Sequence, residues 1–217
     1  DAIGESTLIA MAIGGAGGTA LEASRNGEPG KGAGGAIFND GGTLNIRTST
    51  VTNNSAGFGG ALYNSGPAAS MLLADSQFTN NSAGQNGGLM MNDSGTVTIS
   101  RSTVSGNSSS GPPGNGAIYN FQAALDIIDS TFSGNTATTS VGGVQNFGGT
   151  VRIANSVFAG NSASNNSSAV LNNALGVMTI SNSRFTGNSG SSASAVYSGA
   201  TTVITNSTFD NNVGPSS

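Results

Sequence analysis

The chain has 217 residues, of which only 7 % are charged, and a formal net charge of −4. It contains no cysteine, which removes disulfides, iron–sulfur sites and thiol chemistry. A surface built of Ser, Thr, Asn and Gly, with the single lysine Lys31, offers no phosphate-neutralising patch, so no nucleic-acid partner is expected.

Residues 1–33 are irregular. Asn26 stands 28 residues before Asn54, and Leu21-x-Ala23-x-x-Asn26 reads as a worn copy of a motif that recurs later. The segment is therefore expected to form an irregular N-terminal rung, acting either as a cap or as an exchange arm that leaves the body. Its uncharged stretch, Ser6 to Leu21, is too short and too rich in glycine to span a bilayer, and no run of eighteen apolar residues occurs. No membrane insertion by this segment is expected.

Residues 34–217 form the repeat domain. Seven times a serine is followed two residues later by a large apolar residue and three further on by asparagine. The serines are Ser49, Ser76, Ser102, Ser130, Ser156, Ser183 and Ser207, spaced by 27, 26, 28, 26, 27 and 24 residues. The apolar partners are Val51, Phe78, Val104, Phe132, Phe158, Phe185 and Phe209. The asparagines are Asn54, Asn81, Asn107, Asn135, Asn161, Asn188 and Asn212. A fixed period in the twenties is the mark of a solenoid.

Upstream of each serine lies a short alternating stretch such as Leu44-x-Ile46, Val97-x-Ile99 or Met178-x-Ile180, with one face in and one face out. Further upstream stands a second element that ends in asparagine, from Ala36-Ile37-Phe38-Asn39 to Ala169-Val170-Leu171-Asn172; the seventh copy ends in Ser198. Three short strands per repeat cannot bury their apolar residues alone, but stacked repeats can. The expected fold is all-β, a parallel β-helix of about seven regular rungs of 24–28 residues plus one irregular rung. Right-handedness is expected from crossover chirality. Equivalent side chains then form columns about 4.8 Å apart, with phenylalanine on phenylalanine, amide on amide and hydroxyl on hydroxyl. Pro67 and Pro112-Pro113 fall in loops, where a missing donor harms no ladder.

Gly34-Gly35-Ala36-Ile37, Gly59-Gly60-Ala61-Leu62 and the Phe-x-x-Asn units at Phe78, Phe132, Phe158, Phe185 and Phe209 resemble the paired motifs of the polymorphic outer-membrane-protein repeat family. The resemblance covers about residues 34–212, departs at Val51 and Val104, and does not extend to that family's membrane-embedded barrel. It implies a right-handed β-helix that serves as a surface autotransporter passenger with an adhesin role, and hence host or surface glycans as partners.

Chemistry-bearing residues are sparse. Asp75, Arg101 and Asp129 occupy one position in three successive repeats and look at first like a lyase site, but a self-neutralising charge ladder explains them better. Asp40 and Asp93, two repeats apart, read as turn residues. Neither set supplies the clustered carboxylates of a glycoside hydrolase or the carboxylate-bound calcium of a lyase. No catalytic residue, metal site or cofactor is assigned. Phe58, Phe121 and Phe147 stand outside the core column, in loops or beside turns.

The chain begins at Asp1 without a leader, so it reads as a processed, exported product of bacterial type, or a segment of something longer. The leading expectation is a non-enzymatic extracellular or cell-surface structural protein that assembles end to end with copies of itself. Its contacts would run from Leu8, Ile9, Met11 and Ile13 at one end to Ile204 and Phe209 at the other. The second expectation is an adhesin-like binding passenger, and the third a polysaccharide lyase or hydrolase of the pectate-lyase-like β-helix type.

Overall fold

The structure is a computed structural model that describes residues 32–164, 169–192 and 195–214. Among these residues every regular element is a strand, and every pairing between strands is parallel. The chain is a parallel β-solenoid of about six turns.

The first sheet stacks Ile37–Asp40, Leu62–Ser65, Met90–Asp93, Ile118–Phe121, Val144–Phe147, Val170–Asn173 and Val196–Ser198. The second stacks seven five-residue strands, from Thr43–Arg47 to Thr201–Thr205. The third runs from Thr50–Thr52 to Thr208–Asp210. The registers are those the repeat spacing demands. Phe132 lies between Val104 and Phe158, and Ile127 lies between Ile99 and Ile153.

A fourth strand was not legible. Two-residue strands, Ser55–Ala56, Ser82–Ala83, Ser108–Ser109, Thr136–Ala137 and Ser162–Ala163, follow the ladder asparagines and form a five-stranded sheet. Two residues are too few to show an alternation, so only the pairing with neighbouring turns defines them.

The corners explain much of the composition. Thr48, Asp75, Arg101, Asp129, Asn155, Asn182 and Asn206, one per turn, all have φ between 46° and 51°. Asn53, Asn80 and Asn211 share a second left-handed column with Gly106, Gly134, Gly160 and Gly187. Asn, Asp and Gly tolerate this region best, so the polar character of both columns follows from backbone geometry. The Gly-Gly pairs have a different cause. A Cβ on Gly60 would run into the carbonyl oxygens of Gly88 and Ser82, and one on Gly59 into that of Leu62. The backbone at this point therefore packs tightly against the next turn, leaving no room for a side chain.

The interior is a continuous apolar column. Phe78, Phe132, Phe158 and Phe185 are fully buried, together with Leu62, Leu73, Met90, Ile99 and Ile118. The rings of Phe132, Phe158, Phe185 and Phe209 stack in sequence at 4.8, 5.0 and 4.9 Å.

Candidate functional site

Three polar columns run along the axis, and each has a direction. In the first, the Asn54 amide nitrogen donates to Asn81 Oδ1 (2.9 Å), Asn81 to Asn107, and so on to Asn188, which donates to Asn212 Oδ1 at 2.8 Å. The backbone N–H of each asparagine donates to the same acceptor in the next turn. In the second, Asn39, Asn64, Asn92, Asn120, Asn146 and Asn172 are linked in the same sense. That ladder ends where Ser198 replaces asparagine, and Asn172 turns to Thr202 Oγ1 and the Thr201 carbonyl.

The serine column differs from the hydroxyl-to-hydroxyl ladder expected. Each Oγ donates to the carbonyl two residues back, as Ser130 does to Ile128, and accepts the backbone N–H of the previous turn's serine, as from Ser102. A hydroxyl placed over an open strand end satisfies a backbone pair there, which a hydroxyl chain would leave unmet.

All three columns therefore run with acceptors toward the N-terminal end and donors toward the C-terminal end, and the second is closed at Asn172 by Thr202 and Thr201. Asn54 Oδ1, the first acceptor of its ladder, is buried and has no hydrogen-bond partner. At the last described turn the apolar stack lies open, with Ile204 and Phe209 at 41 % and 42 % exposure, beside exposed Val203, Tyr197 and Val213. Leu8, Ile9, Met11 and Ile13 lie outside the described residues.

The charged column is resolved by its geometry. Arg101 donates to both carboxylate oxygens of Asp75, from Nε at 2.7 Å and from a terminal nitrogen at 2.8 Å. That fork holds the Asp75 carboxyl below the ordinary carboxylate range and raises the guanidinium of Arg101, and Asp129 acts on Arg101 only through space. Arg184 and Asp210 form a second fork of this kind on the third sheet, which lowers the Asp210 carboxyl. Both pairs lie at the surface, so salt screens them. A depressed carboxylate stabilises only above its unfolded value, so any contribution fades as the pH falls through the acidic range. Arg101 also occupies a left-handed position, at φ 46°. Arg101→Asn is expected to leave the urea midpoint in neutral buffer the same or higher, because asparagine relieves the backbone while the lost pair is solvent-exposed. A clear fall would show that the fork carries more than an exposed pair should.

Asp40 and Asp93 are not turn residues. Each closes a strand of the first sheet, and the turn falls one residue later, at Gly41 and Ser94. Asp93 is buried and accepts from the Tyr63 hydroxyl at 3.2 Å and from Ser94 at 3.1 Å. Among the described residues no three Asp, Glu, His or Cys side chains gather as metal ligands.

The outward face of the first sheet carries a feature that sequence reasoning missed. Tyr63, Met91 and Tyr119 point away from the core yet are buried as a second apolar cluster, with Ala33, Phe58, Phe121 and Phe147 packed against them. Phe121 and Phe147 are strand residues in register, with rings stacked at 5.6 Å, and Tyr119 tilts onto Phe121 at 6.0 Å. The signal available was their shared place, one residue after Asn120 and Asn146. Burial, with a smaller effect from the Asp93 charge, pushes the Tyr119 hydroxyl from its ordinary value of 10.0 up to about 12. The sign follows from linkage: stability is fully present below pH 10.0 and declines as the pH rises toward about 12, where the unfolded phenol ionises first. Tyr119→Phe is expected to flatten that alkaline decline, followed by circular dichroism.

Among the described residues no helix is long and apolar enough to cross a membrane. Comparison with protein-family models, with curated proteins and with solved structures finds no match to this chain.

Proposed function

We propose that this protein is a non-enzymatic structural solenoid of the cell surface or extracellular space that assembles end to end with its own copies. The polarity of the three ladders carries this reading. At one end the Asn54 amide oxygen is buried and lacks a hydrogen-bond partner, and at the other the ladders end at Ser207 and Asn212 beside the open Phe209 stack. Donors at one end and acceptors at the other suit a heterologous contact, which does not close and so gives filaments. In this reading the stretch with Leu8, Ile9, Met11 and Ile13 pairs with the strands holding Ile204 and Phe209 in the next copy. The exported setting rests on the likeness to the polymorphic outer-membrane-protein repeats.

Electron microscopy and sedimentation of the intact protein are expected to show unbranched filaments, which deletion of residues 1–13 abolishes. A monomer at high concentration, or filaments that survive the deletion, would count against the assembly. Incubation with pectin and alginate is expected to release no product; cleavage would replace the structural reading with an enzymatic one. A second reading, an adhesin-like binding passenger, is favoured by the aromatic face of the first sheet.

A further inference from the structure

We propose that the outward face of the first sheet, along the shelf formed by Phe121 and Phe147, binds a neutral polysaccharide chain. The site deepens the binding reading and does not depend on filament formation.

Three observations on this face point to the same ligand chemistry. The first is apolar. Phe121 and Phe147 are only half-buried and stack on each other in register along the axis, so the part of the pair left exposed is an apolar ridge that spans two turns. The C–H groups of a sugar pack against such an apolar ridge, and the turns repeat at the strand spacing of about 4.8 Å, matching an extended ligand that runs along the axis.

The second is polar. Gln145 stands two residues before Phe147, and Asn173 is the register partner of Phe147 in the next turn. The Gln145 Oε1 and Asn173 Oδ1 atoms are shielded from bulk solvent, and neither has a hydrogen-bond partner. Gln145 is only 5 % exposed as a residue. A buried carbonyl oxygen left unmet is costly and calls for a donor. Two unmet acceptors, one on the strand of Phe147 and one on the strand that follows, suit the hydroxyl groups of a sugar, which donate.

The third is charge. The carboxylates of Asp40 and Asp93 belong to this sheet. All four arginines among the described residues stand elsewhere: Arg47 and Arg152 on the second sheet, Arg184 on the third, and Arg101 at the corner between these two. A face with carboxylates and none of these arginines disfavours polyuronates and other anionic chains, and leaves neutral glycans.

Calorimetric titration of the intact protein with cellohexaose, maltohexaose, N-acetylchitohexaose and polygalacturonate tests the site. At least one neutral oligosaccharide is expected to bind, and polygalacturonate is not. Phe147→Leu, which keeps the apolar volume and removes the ring, is expected to weaken binding about tenfold. Asn173→Ala, at a partly exposed position, is expected to weaken it comparably, and Thr103→Ala on the third sheet is expected to leave it unchanged. Circular dichroism identifies any variant that fails to fold, and Asn173→Ala then carries the test. The proposal is overturned by no binding to any neutral chain, by tighter binding of polygalacturonate, or by full affinity in folded Phe147→Leu and Asn173→Ala. Absence of filaments with binding intact would remove the assembly reading and leave this one standing.

Discussion

Phe132→Ala is expected to destabilise the solenoid by about 3–5 kcal/mol, the ordinary cost of emptying a large buried aromatic site. Phe132 is fully buried, with Val104 on one side and Phe158 stacked at 4.8 Å on the other. The neighbouring turns cannot collapse into the gap, because their spacing is fixed by backbone hydrogen bonds in four sheets. The loss should appear as a lower urea midpoint. Because a repeat protein can open locally, a reduced m-value would mean that the turns on either side of residue 132 have uncoupled. Val104→Phe is the companion test. It extends the aromatic column by one ring in a site that already holds Phe78 on one side and Phe132 on the other. Overpacking there is expected to cost about 1–3 kcal/mol. A gain in stability would mean that the valine marks a gap.

Asn135→Ala is the second large effect. The Asn135 Oδ1 atom accepts the backbone N–H and the side-chain N–H of Asn107, and its amide nitrogen donates to the Val104 carbonyl and to Asn161 Oδ1. All of these partners are buried. Removing the amide strands polar groups in both neighbouring turns, at ~1–3 kcal/mol for each buried group left unmet. Asn135→Asp is expected to be at least as damaging at neutral pH, because the carboxylate cannot donate to Asn161 and brings a charge into the interior. Asn45, exposed on the second sheet, supplies the control; Asn45→Ala should move the midpoint little. Equal losses at 135 and 45 would contradict the ladder.

The fold was legible because its repeat is long-range order written in one dimension. The spacing of Ser102, Ser130 and Ser156 fixes which residues stack, and the observed registers of Val104, Phe132 and Phe158 follow from it. Both asparagine columns were visible for the same reason. The charge column was legible as one stacked position from its continuation by Asn155, Asn182 and Asn206, which share its left-handed backbone. The fourth strand and the role of the serines were not. A two-residue strand has no period, and the serine hydroxyls meet backbone groups that no side-chain pattern announces.

The candidate binding face was the least legible part. Tyr63, Tyr119, Phe121 and Phe147 sit on outward or strand-ending positions, where alternation predicts exposure. They are buried or half-buried because a second apolar cluster lies outside the sheet. By itself the sequence determined the period, the columns and the inward faces, since each repeat must satisfy the same backbone and core as its neighbours. Only the tertiary structure decided which outward residues are drawn together, and that the ladders share one direction. Both depend on how closely the backbone of one turn packs on the next, as at the Gly-Gly pairs, and on which atom of each amide faces the next turn. Those are matters of three-dimensional approach and orientation that a periodic string of residues does not encode.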